Sequence, residues 1–365
     1  MKIDFANLTK AYLDHKTEFD QEIGKVVHDA NYIMGKPIQD LEEGLKAFTG
    51  AKHAISCSSG TDALLLVLMA LDIQPGDEVI TTPFTFIATA ETIAFLKAVP
   101  VFVDIDETTF NMDTSKIEDK ITSRTKAIMP VSLYGQVSEM DTINAIASKY
   151  NLAIIEDAAQ SFGATYKGKK SCNVSEFACT SFFPAKPLGC FGDGGAVFTS
   201  NDAMAEKIRS LRLHGQTKRY HHKYIGIGGR LDTLQAAILN VKLKYYETDI
   251  LNRQRVAAQY NGYLENFVKT PEILPENTSV WAQYSVRVQN RDEVQRILSE
   301  KGIPTAVHYP QPLHLQECFD YLNYKEGDFP ISEQVSKEIM SLPMNPFLTE
   351  EEIKYISNTL KTIIK

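Results

Sequence analysis

The sequence predicts an α/β fold: a large domain (residues 1–250) on a mainly parallel, mixed sheet flanked by helices, then a smaller α+β C-terminal domain (251–365). Three observations predict it. Between residues 54 and 199, short β-branched runs alternate with helical runs, the pattern of parallel strands covered on both faces. After about Ser200 that alternation fades into consecutive helical stretches. And 365 residues are too many for one small core.

Taken in order, the first residues form two amphipathic helices, 9–30 and 38–48. Strands follow at 54–57, 78–81, 99–103, 127–131, 153–156, 178–182 and 196–199. Helices at 61–71, 87–96 and 140–150 lie between the earlier ones. Beyond them the periodicity predicts helices at 203–213, 233–247 and 253–267, and an alternating strand at 280–288. A helix over 292–301 ends at Gly302, a good C-cap residue. Helices at 332–341 and 350–363 close the chain. No internal repeat or low-complexity tract interrupts this order.

Composition excludes several classes. Net charge is -8 and no Lys/Arg block stands out, which argues against nucleic acid as a partner. The longest apolar run, 63–71, is about half of the roughly 20 residues that span a bilayer, so no membrane partner is expected. The N-terminal stretch is polar and lacks an apolar signal core. Five cysteines show neither a disulfide framework nor a zinc pattern, and the eight histidines have no metal spacing. A cytoplasmic protein without a metal site is the expectation.

In an open α/β sheet, ligands sit beyond the C-terminal ends of strands. Three such places carry chemistry. Ser58-Ser59-Gly60-Thr61-Asp62 follows a strand and opens an apolar helix. Its free amides suit an anion, although a plain N-cap accounts for the same residues. Asp157 ends a buried apolar strand, where a carboxylate needs a partner. A pyridinium N–H is one; a helix cap or a buried ion pair would also serve. Glu156 points to the opposite face by strand alternation. Lys186 follows a strand and sits between Pro184 and Pro187, ahead of glycines at 189, 192, 194 and 195. Stiff and permissive backbone around one lysine raises it above a solvated charge, because a desolvated amine is a nucleophile able to form a Schiff base. Ser181, five residues earlier, has a hydroxyl to offer a phosphate.

In this order and spacing, the chain resembles the DegT-type (DegT/DnrJ/StrS) sugar aminotransferases, fold-type I enzymes that use pyridoxal 5'-phosphate (PLP). The resemblance covers nearly the whole chain. It rests on 59–62, Thr81-Thr-Pro-Phe-Thr-Phe-Ile-Ala-Thr89, Glu156-Asp-Ala-Ala-Gln160, 181–195, Gly229-Arg-Leu-Asp-Thr-Leu-Gln-Ala-Ala237 and His308-Tyr-Pro310. The run Ser181-Phe-Phe-Pro-Ala-Lys-Pro-Leu-Gly-Cys190 is most similar to members acting on UDP-linked 3-keto-N-acetylhexosamine uronates.

The resemblance implies roles by position. Lys186 would carry PLP and move protons, and Asp157 would pair with the ring nitrogen. Gln160 would sit near the ring hydroxyl. Ser59, Gly60, Thr61, Asp62 and Ser181 would hold the phosphate. Phe86 would stack on the ring, its alternative being a core phenylalanine. Arg230, His308 and Tyr309 would face substrate, with a structural ion pair an equal reading for Arg230. Gly228 stands where the family usually has an asparagine that reaches the partner subunit's phosphate. His221 and His222, beside Lys218 and Arg219, read as a solvated basic loop.

The implied reaction moves an amino group from glutamate to a nucleotide-linked keto sugar, best read as UDP-2-acetamido-2-deoxy-3-oxo-glucuronate, for cell-surface polysaccharide biosynthesis. A homodimer with shared active sites follows from the same resemblance. Alternatives are a 4-keto-hexose aminotransferase of the family and a non-catalytic PLP-binding sensor. The intact Asp157/Lys186 pair argues against the sensor. No arginine follows Arg296, which argues against an amino-acid aminotransferase with a C-terminal carboxylate site.

Overall fold

The computed structural model describes residues 3–364. Seven strands form its main sheet: β1 (His53–Cys57), β2 (Glu78–Thr81), β3 (Val99–Phe102), β4 (Thr125–Ile128), β5 (Ala153–Asp157), β6 (Phe177–Ser181) and β7 (Gly195–Thr199). Their order across the sheet is β1-β7-β6-β5-β4-β2-β3. The run from β6 to β3 is parallel throughout. β7 is antiparallel to both of its neighbours, β6 and β1, which makes the sheet mixed.

Both faces of this sheet are covered, and strand alternation sorts the side chains between them. Ala54, Ile80, Ile128, Ile154 and Ala178 enter one core with Leu41, Leu45 and Leu239. Ile55, Val79, Ala127, Ile155 and Phe177 enter the other with Leu64, Val67 and Ile208. The helix Gly60–Ala70 is apolar nearly all round because it lies within the second core.

The C-terminal lobe has its own core, in which Val256, Tyr260 and Leu264 meet Tyr284, Met340 and Ile356. Its strands β8 (Tyr284–Arg287) and β9 (Ile339–Leu342) pair antiparallel. The closing helix Glu350–Ile363 starts on a capping box between Thr349 and Glu352. Among the described residues, no helix is long and apolar enough to cross a membrane.

Four elements differ from the sequence pattern. Residues 9–30 form two helices, Leu8–Leu13 and Lys16–Asp29, because His15 leaves helical space (φ -126°) and stacks on Tyr245. The helices expected at 233–247 and 253–267 are one, Thr233–Leu264. The intervening residues contain no Gly or Pro, and buried Tyr246, Ile250 and Arg253 continue the stripe at helical spacing. The expected domain boundary at residue 250 lies inside this helix, whose first part packs on the sheet and whose last part packs in the C-terminal lobe.

The strand expected at 280–288 is confined to β8. Before it, Trp281 adopts φ +50°, and the amides of Val280 and Ala282 donate to the carbonyls of Gly135 and Tyr134. The helix expected to reach 341 stops at Glu338, since the next four residues find backbone partners in β8. Tertiary pairing overrides local propensity there.

Candidate active site

Sheet register brings the first candidates together. Cys57 at the end of β1, Gly195 at the start of β7 and Ser181 at the end of β6 occupy one row. The Ser58–Ser59 turn and Ser181 therefore leave the sheet side by side. The approach is close enough to require glycine. A Cβ on Gly60 would lie 2.7 Å from the Ser181 Cβ, and one on Gly195 would lie 2.4 Å from the Ser59 carbonyl oxygen. Ser59 caps the following helix by accepting from the Asp62 amide at 3.0 Å. Among the described residues, no partner takes the Gly60 and Thr61 amides.

Asp157 closes β5 next to this row and is buried. Thr89 Oγ1 donates to its Oδ2 at 2.8 Å, and the Ala159 amide to its Oδ1 at 3.2 Å. Thr85 Oγ1 stands 3.0 Å from Thr89 Oγ1 and extends the chain of hydroxyls. Burial pushes the Asp157 carboxyl up, and the Thr89 and Ala159 bonds with the Lys186 charge pull it down. Glu156, one residue earlier, faces the other way. It accepts from Ser132 Oγ, Ser171 Oγ and the Cys172 amide at 2.8–2.9 Å.

Lys186 sits on a folded turn beyond β6. Its amide donates to Phe183 at 2.8 Å, and the Cys190 amide returns to Phe182 at 2.8 Å. Lys242, on the long helix, donates to the Gly189 carbonyl at 2.5 Å and ties the turn down. Burial lowers the Lys186 amine below the usual lysine range, against the raising effect of Asp157. Among the described residues, nothing hydrogen-bonds or ion-pairs with its Nζ.

The opposite wall comes from the C-terminal half. Gln160 Nε2 donates to Tyr309 OH at 3.0 Å, while Gln160 Oε1 accepts from the Tyr134 amide at 2.8 Å. Tyr134 OH donates to the His308 carbonyl, and His308 Nδ1 lies 2.8 Å from Ser341 Oγ on β9. Burial, with the Lys186 charge second, pushes His308 down to about 4, so its ring is neutral near pH 7.

These walls enclose a cleft of about 500 Å³. Of the residues singled out in the sequence, Ser59, Gly60, Thr61, Phe86, Asp157, Gln160, Ser181, Lys186, His308 and Tyr309 line it. Phe86 is half-exposed there, with its ring 6.2 Å from that of Tyr309. Asp62 and Arg230 do not line it. The Asp62 carboxylate is held by the Ser58 hydroxyl. Arg230 follows Gly229, whose carbonyl accepts from the Ser58 amide at 3.0 Å, so it borders the turn from outside. A Cβ on Gly228 would lie 3.0 Å from the His214 ring.

Sequence reasoning missed Thr89, Thr85, Tyr134 and Gln283. Thr85 lies just before the helix Ala88–Phe95 and Thr89 in its first turn, a four-residue threonine spacing visible in the sequence. Tyr134 and Gln283 are placed by contacts no local pattern encodes. Among the described residues, no group of three His, Cys, Asp or Glu could hold a metal ion.

The cleft fits PLP on its own geometry. Two unpaired amides beside Ser181 suit a phosphate. The buried Asp157 carboxylate has hydroxyl and amide donors but, among the described residues, no cation within ion-pair distance. A protonated ring nitrogen supplies one. The Lys186 amine is unpaired and desolvated. The fold and this site define a fold-type I, PLP-dependent aminotransferase. Residues 13–361 match the DegT/DnrJ/EryC1/StrS aminotransferase family, and the chain belongs to it.

The chain is 52% identical to the UDP-2-acetamido-2-deoxy-3-oxo-D-glucuronate aminotransferase of Pseudomonas aeruginosa, covering 98% of this chain and 99% of that enzyme. It is 39% identical to the UDP-N-acetyl-3-dehydro-alpha-D-glucosamine 3-aminotransferase of Acidithiobacillus ferrooxidans, covering 98% and 97%. Among solved structures, DesV of S. venezuelae in complex with a ketimine intermediate superposes with a TM-score of 0.98 at 36% identity, over 100% of this chain and 99% of that one.

Proposed function

We propose that this aminotransferase takes nitrogen from glutamate and delivers it to a keto sugar linked to a nucleotide, with UDP-2-acetamido-2-deoxy-3-oxo-glucuronate as the acceptor. The observation that carries the reaction class is the unpaired, burial-lowered amine of Lys186 beside the carboxylate of Asp157 in one cleft. The acceptor is supported by the substrate in the name of the P. aeruginosa relative.

When bound, PLP supplies an electron sink for a developing carbanion. Gly60, Thr61, Ser59 and Ser181 would hold its phosphate, and Phe86 would cover its ring. Asp157, kept in place by Thr89, would pair with the protonated ring nitrogen. Gln160 orients Tyr309 at the far side. Burial lowers the Lys186 pKa and so favours the free amine, which would hold PLP and would move a proton at Nζ, away from the donor carbon in one half-reaction and onto the sugar carbon in the other. His308, neutral near pH 7, places no positive charge beside that amine.

The same reading includes a cytoplasmic homodimer with shared sites, working in polysaccharide biosynthesis. Arg230 would then meet substrate across the subunit boundary. The test is an absorbance spectrum of the PLP-loaded enzyme. Glutamate should bleach the visible band of lysine-bound PLP, and the 3-oxo-glucuronate nucleotide should restore it. A band that glutamate leaves unchanged would overturn the amino-donor half. A band restored only by a 4-keto sugar nucleotide would overturn the acceptor.

A further inference from the structure

The turn that carries Lys186 is held by one face of the long helix Thr233–Leu264. Gln235 Oε1 accepts from the Phe191 amide at 2.8 Å, and Lys242 Nζ donates to the Gly189 carbonyl at 2.5 Å. The two residues are seven apart, nearly two helical turns, so they point the same way. Lysine amines are normally left in water. Burial pushes this one down to about 8, and among the described residues no carboxylate lies within ion-pair distance of it. A cation kept in such a place calls for a reason.

From Gly189 to Lys186 the connection runs through backbone alone. Gly189 is packed on the first residues of the turn: a Cβ on it would lie 2.5 Å from the Pro184 carbonyl oxygen and 2.6 Å from that of Phe183. The Phe183 carbonyl in turn accepts from the Lys186 amide at 2.8 Å. The next residue, Cys190, closes the turn by donating its amide to the Phe182 carbonyl at 2.8 Å. A side chain that pins the Gly189 carbonyl therefore also fixes the peptide on which Lys186 rests. The charge that acts on the Lys186 amine is that of Asp157, so Lys242 works through the turn and not through its field.

Resting on the function proposed above, we infer that Lys242 is a positioning residue: by holding Gly189 it keeps the Lys186 amine where it can bond PLP and move the proton in both half-reactions. A misplacement of about 1 Å can cost roughly 100-fold in rate even when the change lies away from the chemistry. Methionine at this position keeps an unbranched apolar stem and leaves the Gly189 carbonyl without its donor.

The experiment compares wild type with Lys242→Met, and with Lys242→Gln should the methionine variant fail to fold. The first readout is the rate at which Lys186 Nζ of the PLP-free enzyme adds to the PLP aldehyde and expels water, followed by the visible band. The second is the limiting rate and half-saturating concentration of each half-reaction, with glutamate and UDP-2-acetamido-2-deoxy-3-oxo-glucuronate as probes. Thermal stability is recorded alongside. Capture of PLP and both limiting rates should fall together, by about 10- to 100-fold, while both half-saturating concentrations stay within about threefold of wild type. A lower Tm with capture and limiting rates unchanged would overturn the inference, because the tie would then be structural only. So would a loss confined to one half-reaction, since Lys186 acts in both. A wild-type enzyme that bonds no PLP, or whose band glutamate does not bleach, would instead sink the function itself, whatever Lys242 does.

Discussion

The two walls of the cleft are built by different means. On one side, Asp157 and Ser181 end the neighbouring strands β5 and β6, and Ser59 follows β1 across the start of β7, so their spacing is that of the sheet register. On the other, His308 and Tyr309 sit on a loop of the C-terminal half, held by Ser341, Tyr134 and Gln160, and Gln283 follows Ala282, whose amide donates to Tyr134. The first wall inherits its precision from many backbone bonds. The second depends on a handful of side chains. Changes on the sheet wall should therefore strike chemistry, and changes on the loop wall should strike orientation and stability.

The largest expected effect is that of Lys186→Ala. Among the described residues no other lysine lines the cleft, and losing a nucleophile that is also the acid and base should cost at least about 1000-fold in turnover. PLP should still bind, without a covalent link. Steady-state rates and a reduction-and-mass test for lysine-bound cofactor would check both halves. Near-wild-type transamination would end the comparison, because the sheet wall would then hold no chemistry.

Asp157→Asn follows. Asparagine keeps the shape and can still accept from Thr89, but it removes the charge. Removing one member of a buried charge pair costs about 3–5 kcal/mol, which is roughly 100-fold or more in rate. Glu156→Gln is the matched control one residue away, since Glu156 faces the opposite core and already has three donors. Similar losses of turnover in the two variants would refute the assignment of Asp157 to the cleft chemistry.

The same contrast explains what could be read in the sequence. Asp157 and Lys186 were legible because strand ends and Pro/Gly punctuation are local signals. Glu156 was correctly turned away from Asp157 by alternation alone. β9 was not legible, because Ile339–Leu342 is a strand only through its pairing with β8. Gln283 was hidden for a related reason. Its neighbours alternate like a strand, yet the amides of Val280 and Ala282 bind a loop 145 to 148 residues away in sequence. The resemblance implies that Asp62 holds the phosphate; in the structure its carboxylate accepts from the Ser58 hydroxyl.

The loop wall predicts a pH effect on stability. His308 is pushed from 6.5 to about 4 in the folded protein, mainly by burial. Between those values the unfolded chain takes up a proton that the folded one refuses. Stability should be complete above 6.5 and fall by up to about 3 kcal/mol as pH drops toward 4. Denaturant midpoints across that window, in wild type and His308→Asn, would measure it. The variant should lose that part of the slope; an unchanged slope would mean that other groups carry it.

The smallest effect expected is that of Tyr309→Phe. Its hydroxyl accepts from Gln160 Nε2 at 3.0 Å, and phenylalanine keeps the ring that faces Phe86. What is lost is one hydrogen bond, and Gln160 is left with an unpaired N–H. A net bond of this kind is worth about 1 kcal/mol, or roughly fivefold in kcat/KM. The Asp157 side of the site is untouched, so the visible absorbance of the loaded enzyme should keep its position. A loss as large as that of Asp157→Asn would mean that Tyr309 takes part in the chemistry, and that the two walls are not divided between reaction and orientation as their construction suggests.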